Sequence, residues 1–426
     1  MSNVRFEQTA LPGGAVLVSE HVPWARSLAL GFWFRAGSRD ESLVEDGMAH
    51  FVEHLAFKGT TKRDALEIAR SLEAVGGSLD AFTGRELTCY YSRVLSESLP
   101  LAIDVLTDLI GRPTFLEDHV EREKSVVIEE IRGLEDSPEE LIHGLVAARM
   151  WRGHPLAGSI LGTETSVGAF NAAGVRDYWD RLYRGPSLIV SLAGGFDIDE
   201  VRSLLTESLA LSSGTPVQDR RPPAVMPPAL VNWKRDVSQE YLCLAAPTPG
   251  FGDQRRYALQ ILSTVLGGGM SSRLFQRIRE DAGLAYTVYS YSDFCQDTGM
   301  FGAFLGVSPE KAGAALEMTF DEMRKLRRDG FTRDELDSAR AQVRGGVLMG
   351  LESLSTRMNR LARSLFYHGR YQTVEELLAI FDQLTVADVI EQTADFLDPE
   401  RWTLVAYGPA ATKTLNVAGW KDVEEP

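Results

Sequence analysis

Apolar positions along the chain follow two periods that alternate in blocks. Short runs rich in β-branched and aromatic residues predict strands: AVLVSE (15–20), SLALGFWFRA (27–36), LTCYYSRVL (87–95) and SLIVSLAG (187–194). The first two flank a turn-like stretch around Pro23. Apolar residues spaced by three and four predict amphipathic helices over 45–56, 62–75, 98–111, 117–134, 138–151 and 173–183. The second of these stops at Gly76-Gly77, as helices commonly do.

Residues 212–232 (SSGTPVQDRRPPAVMPPALVN) hold five prolines and no apolar period, the mark of a linker. Beyond it the order begins again. The segment from Phe115 lines up with that from Phe331, WRGHPLAG with FYHGRYQT, FNAAGVRDYW with FDQLTVADVI, and SLIV with WTLV. The offset stays near 211–216 residues, too long for a solenoid repeat of about 20–50 and suited to a duplicated domain. The expected fold is therefore α+β, with two homologous domains, each a mainly antiparallel sheet flanked by helices. Their expected limits are 1–211 and 233–426, with 212–232 between them.

Composition narrows the classes. With 426 residues, the chain exceeds what one core usually supports; 44% hydrophobic and 24% charged residues describe an ordinary globular protein. No apolar run approaches the roughly 20 residues of a membrane helix, and MSNVRFEQTALPGG is not built like a secretory signal. A cytoplasmic setting is expected, with a processed organellar form left open. Cys89, Cys243 and Cys295 are scattered and odd in number, which argues against disulfides and a thiolate metal site. The net charge of −16 carries no basic stripe, so nucleic acid is not an expected partner. The charge reads first as a solubility feature, although it would also attract basic ligands.

The chemistry concentrates in 45–56 (EDGMAHFVEHLA). On a helix, His50 and His54 at i and i+4 share a face, so two imidazoles can reach one ion. Glu53 stands beside them, placed to accept a proton from water without ligating the metal. Glu45 and Asp46 would favour the positive end of the helix dipole. A catalytic zinc usually takes three protein ligands, and the third is open to His or carboxylate. The richest source is the helix at 117–135, where Glu123 and Glu130 are seven apart on one face with Val127 and Leu134. Glu117, Asp118, Glu121 and Glu129 read as a solvated surface. In the second copy, Ala339 and Gly346 fall opposite Glu123 and Glu130, and ALQILSTVL (258–266) opposite the histidine helix. The repeat keeps the scaffold without the metal groups.

These residues resemble the pitrilysin/insulinase superfamily of metallopeptidases with the inverted motif, HxxEH. The likeness is to its small two-domain class, which includes bacterial processing-peptidase-like enzymes and the mitochondrial processing peptidase. It rests on HFVEHLAFKGT (50–60), GGSLDAFTGRELTCYYSRVL (76–95), EREKSVVIEEI (121–131), HPLAGSILG (154–162) and SSRLFQRIREDAGLAYTVYS (271–290). The resemblance implies one Zn²⁺ per chain on His50, His54 and Glu130, with Glu53 as general base and Glu123 as an accessory acidic residue. It implies that Arg279 and Tyr286 grip the substrate backbone. An extended peptide would pair with an edge strand at Leu79, Asp80, Ala81, Phe82 and Thr83, although relatives often carry Asn where Asp80 stands. It further implies a homodimer in which the second domain of one chain completes the zinc site of the other. A non-catalytic scaffold subunit and a metal-dependent hydrolase of another substrate class remain as alternatives.

Overall fold

A computed structural model describes residues 4–218 and 220–426; Met1–Asn3 of the N-terminal segment and Asp219 of the Pro-rich linker lie outside the described residues. Within the described residues the chain forms two compact α+β units, each built on a six-stranded sheet.

The first unit takes the chain up to Gly133, then Gly158–Arg221 and Met349–Tyr371. Its strands are β1 (Arg5–Ala10), β2 (Val16–His21), β3 (Ser27–Phe34), β4 (Ser78–Thr83), β5 (Thr88–Leu95) and β6 (Leu188–Gly194), in the order β1-β2-β6-β3-β5-β4. Only β2 and β6 pair in parallel. The alternation along β3 feeds two cores. Leu28, Leu30, Phe32 and Phe34 join a cluster with α1 (Met48–Ala56), α2 (Ala65–Glu73), α3 (Leu99–Gly111) and α4 (Glu117–Glu135). Ala29 and Trp33 point the other way, where the helix Leu354–His368 contributes Met358, Leu361, Leu365 and Phe366. Gly31 is required on that face, because a Cβ there would stand 2.6 Å from the Trp33 indole nitrogen. That nitrogen donates to Ser191 Oγ at 2.8 Å.

The second unit repeats the plan with β7 (Leu230–Lys234), β8 (Glu240–Pro249), β9 (Ala285–Phe294), β10 (Thr298–Val307), β11 (Thr403–Gly408) and β12 (Val423–Glu424), ordered β12-β7-β11-β8-β10-β9. One face packs on the helices Arg255–Gly267, Ala312–Asp329 and Arg333–Gly350. The other is covered by α5 (Pro138–Met150) through Ile142, Val146 and Met150.

The chain-order division expected from sequence does not describe this packing. Residues 134–157, which include α5, belong with the second unit, and 349–371 belong with the first. Both sheets are apolar on both faces, so each needs a second cover, and each receives it from the other half of the chain. Among its described residues the Pro-rich segment has neither helix nor strand up to Ala229, and its last three residues open β7. β1 escaped the sequence reading because RFEQTA is a half-exposed edge with weak alternation. Among the described residues no helix is long and apolar enough to cross a membrane.

Glu240, at the start of β8, is fully buried and accepts one hydrogen bond, from Ala410 N at 2.8 Å. Burial pushes its carboxyl up to about 7, against the smaller opposing effect of that bond. The folded-state pKa thus lies above the unfolded one, so the contribution is fully present below about 4.5 and is lost as pH rises through about 7. Compared with Glu240→Gln, the wild type should lose on the order of 3 kcal/mol over that interval, read from urea midpoints. Parallel pH dependence of the two proteins would contradict this account.

Candidate metal centre

The helix that carries the histidines begins three residues later than its sequence suggests. Gly47 adopts φ 90, outside the helical region, and Met48 is the first helical residue. A Cβ on Gly47 would lie 2.6 Å from Leu161 O, and one on Gly162 would lie 2.4 Å from Asp46 O. The two glycines therefore allow the 158–162 segment to abut the start of α1. Glu45 and Asp46 consequently stand outside the first turn, and Glu45 instead pairs with Arg181. Glu41 occupies the position expected of them. Its carboxyl oxygens accept from Gly47 N at 3.0 Å and Ala49 N at 2.7 Å. Burial pushes that carboxyl well up, and the two N–H bonds pull it partly back.

From this fixed start, α1 projects His50 and His54 side by side, ring centroids 4.5 Å apart. α4 brings Glu130 opposite them, with Oε2 at 3.7 Å from His50 Nε2 and 3.6 Å from His54 Nε2. One ligand atom from each of the three lies within 4.8 Å of the others. Two donors about 2.0–2.1 Å from one tetrahedral zinc would be separated by roughly 3.4 Å, close to what is found. The donor set of two imidazoles and a carboxylate is likewise one that zinc takes in catalytic sites. Buried His50 Nδ1 has no hydrogen-bond partner among the described residues, and burial, reinforced by His54, lowers its pKa to about 4. The ring is thus neutral at pH 7, the form in which an imidazole binds a metal. The residues fit the ion.

The seven-residue spacing on α4 separates two environments. Glu130 is exposed, whereas Glu123 is buried behind the histidines. Glu123 Oε1 lies 2.9 Å from His54 Nδ1, and Lys58 Nζ reaches Oε2 at 2.7 Å. Burial works to raise the Glu123 carboxyl, but the bonds from His54 and Lys58 outweigh it and leave the group below its ordinary value. The same pairing raises His54, against burial that would lower it. A carboxylate on Nδ1 holds that nitrogen as the donor and leaves Nε2 facing Glu130. Lys58 escaped the sequence reading, although it sits one turn beyond His54 on the same helical path. Glu117, Asp118, Glu121 and Glu129 are exposed, as their pattern predicts.

Glu53 is 9% exposed, and its Oε2 accepts from the Thr83 hydroxyl. Burial raises its carboxyl, and the Thr83 bond moderates the shift. Thr83 closes β4, which is the last strand of its sheet. Leu79, Ala81 and Thr83 alternate toward the α1 side, and Asp80 and Phe82 are exposed. The Asp80 carboxylate accepts from Ala81 N at 2.8 Å and from Tyr91 OH at 3.2 Å. His50, Glu53, His54, Glu123, Glu130 and Thr83 are thus gathered in the first unit. Arg279 and Tyr286 belong to the second. Arg279 lies on a π-helical stretch, Phe275–Asp281, with its guanidinium 4.8 Å from the Phe275 ring centroid. Tyr286 is the second residue of β9, itself an edge strand, and is 63% exposed.

Comparison with known proteins yields matches along most of the chain. Residues 16–164 match the family Insulinase (Peptidase family M16), and residues 169–343 match Peptidase M16 inactive domain. An uncharacterized zinc protease of Mycobacterium tuberculosis is 38% identical over 95% of this chain and 94% of its own length. An uncharacterized zinc protease of Bacillus subtilis is 37% identical over 86% of this chain and 89% of its own. Among solved structures, a peptidase M16 inactive domain from Pseudomonas fluorescens superposes with a TM-score of 0.90 at 22% identity. That match covers 96% of this chain and 98% of the other, and it concerns the fold.

Removing the carboxylate behind His54 should weaken metal binding without removing a ligand. Glu123→Ala should bind zinc about 10–100-fold less tightly, measured by competition with a chromophoric chelator. Unchanged affinity would mean that the hydrogen bond to His54 does not orient it for the metal.

Proposed function

The chain belongs to the insulinase family, peptidase family M16, and we propose that it is a zinc-dependent endopeptidase acting on peptides bound as an extended strand. The observation that carries the reading is the convergence of His50, His54 and Glu130 ligand atoms within 4.8 Å, with Glu53 on the same helix. The three would hold one Zn²⁺. Zinc, when bound, supplies Lewis acidity toward water and the peptide carbonyl.

The remaining steps belong to the chain's own groups. Glu53 accepts a proton as the water oxygen bonds to the carbonyl carbon. The protonated carboxyl, a state that burial favours, then delivers the proton to the nitrogen as the C–N bond breaks, giving a free amine and a carboxylic acid. Thr83 orients Glu53 through its hydroxyl. β4 has a sheet neighbour, β5, on one side, and its other edge offers main-chain groups to an incoming strand. Arg279 and Tyr286 would steady the peptide main chain, with the Tyr286 hydroxyl as a donor to the developing oxyanion. The proposal extends to a homodimer, in which these two residues act on the centre of the partner chain.

Glu53→Gln should retain zinc at wild-type stoichiometry and lose at least about 100-fold in kcat against a mixed peptide pool. Full activity in that variant would refute the role given to Glu53. Zinc binding by the wild type with no cleavage of any peptide would favour a scaffold subunit.

The dimer has its own measurement. Glu53→Gln and Tyr286→Phe chains, each impaired alone, should recover partial activity when mixed, because some mixed dimers hold one complete site. Failure to recover despite demonstrated subunit exchange would rule out the shared site.

A further inference from the structure

We infer that Phe275 is a positioning residue for substrate binding: its ring holds the Arg279 guanidinium in place and leaves the N–H donors for the peptide main chain. The inference rests on the peptidase reading above and on the grip given there to Arg279 and Tyr286. Three arginines lie between Arg273 and Arg279, and two of them face carboxylates. Arg273 makes a two-pronged contact with Glu335, at 2.7 and 2.9 Å, and Arg277 Nε lies 3.5 Å from Glu322 Oε1. Arg279 differs. Its guanidinium stands 4.8 Å from the Phe275 ring centroid, and among the described residues no carboxylate comes closer than Glu280, 3.9 Å from Nε.

The two kinds of contact use different parts of the guanidinium. A carboxylate takes up N–H donors in the plane of the group, whereas an aromatic ring attracts the cation through its quadrupole and leaves those donors available. A residue that has to meet main-chain carbonyls needs the second arrangement. Phe275 makes a fixed wall, because it is partly buried and packs on the core of the second unit, whereas Arg279 is exposed. The backbone supports the same placement. Phe275–Asp281 is π-helical, a rare form that concentrates at functional sites, and its Ile278 is buried. Ile278 O accepts from Leu284 N at 2.8 Å, closing a turn in which Gly283 takes φ 60. That turn leads into β9, so Arg279 and Tyr286 are joined by a short, closed stretch of chain. Held on the ring, Arg279 has less side-chain freedom to lose when a peptide binds, which lowers the cost of ordering it.

The test compares peptide hydrolysis by wild type, Phe275→Leu, Phe275→Tyr, Arg279→Met and the double variant Phe275→Leu with Arg279→Met, with zinc content measured for each. Leucine keeps the apolar packing and lacks the ring, so Phe275→Leu should raise KM about two- to fivefold at nearly unchanged kcat and zinc content. Phe275→Tyr should keep the wild-type KM. In the double variant the leucine should add nothing to the effect of Arg279→Met, the coupling expected when one residue acts through the other. Pentafluorophenylalanine in place of Phe275 keeps the shape of the ring and reverses its quadrupole. It should raise KM as leucine does, and it decides the matter where Phe275→Leu fails to fold. An unchanged KM in Phe275→Leu, an equal loss in Phe275→Tyr, or a leucine effect that persists beside Arg279→Met overturns the role of Phe275 and leaves the peptidase reading intact. An active Arg279→Met enzyme with wild-type KM overturns the grip of Arg279 and this inference together. Absence of zinc-dependent cleavage by the wild type overturns both the inference and the peptidase reading.

Discussion

The grip on the first turn of α1 is the constraint on which the candidate centre depends. That grip comes from five residues, Gly37–Glu41. Glu41 holds the backbone N–H groups of Gly47 and Ala49, and so sets where the helix starts and how His50, Glu53 and His54 are phased about its axis. The same five residues hold the turn between β4 and β5: Ser38 N donates to Gly84 O at 3.3 Å, and Arg39 N donates to Arg85 O at 2.8 Å. Gly37 approaches that turn so closely that a Cβ would stand 2.4 Å from Gly84 O. The histidine-bearing helix and the edge strand are therefore referenced to one short segment. The segment is pinned in turn by buried charges, Arg39 to Glu86 at 2.7 Å and Asp40 to Arg220 at 2.7 Å. Such pairs add little net stability, but leaving one member unpaired costs about 3–5 kcal/mol, so they specify a single arrangement. Arg220 lies in the Pro-rich linker, which is thus anchored in the first unit at one end and continuous with β7 at the other.

The duplication shows what the scaffold requires without chemistry. Five of the six strands in the second sheet repeat the order and pairing sense of the first, from the edge strand inward. The helix Arg255–Gly267 takes the place of α1 after the second strand of its unit, and it is filled by Leu259, Leu262 and Leu266 where α1 has polar groups. A helix that only has to pack can be apolar throughout its inner face. α1 cannot, because Glu53 and the two histidines must be kept partly dry, and each then needs a partner. Thr83, Glu123 and Glu130 supply those partners from β4 and α4, and Lys58, just beyond α1, pairs in turn with Glu123. None of this is needed in the second unit, where Ala339 and Gly346 stand on the helix equivalent to α4.

How much was legible in the sequence follows from whether a signal was periodic. β2, β3, β5 and β6 and the helices from α2 to α5 lie within a few residues of their predicted places, because burial writes a period of two or of about three and a half into each. The start of α1 was misplaced because the period continues through Glu45 and Asp46, while the helix begins only after a left-handed Gly47 packed against Gly162. That contact joins residues more than a hundred apart and leaves no local trace. The crossing of α5 and of Leu354–His368 between halves was hidden for a related reason. An amphipathic stripe states that a helix covers something, not which sheet it covers. His50, Glu53 and His54 were legible because they share one helix. Glu130 could be narrowed to a face, with Glu123 beside it, but periodicity cannot say which of two carboxylates seven apart faces the metal and which faces a histidine.

The role of Thr83 draws these threads together. Its backbone belongs to the strand edge where a peptide would add, and its side chain holds the base that would act on that peptide. An incoming strand that pairs with β4 is then placed relative to Glu53 by a single residue, without dependence on longer loops. The Glu53 carboxyl, raised by burial and moderated by this hydrogen bond, takes part of its acidity from the same contact. One threonine thus belongs to the strand edge and also moderates the burial-raised pKa of Glu53. A β-branched residue suits the position, because its χ1 is restricted within a strand and the hydroxyl is held in one direction.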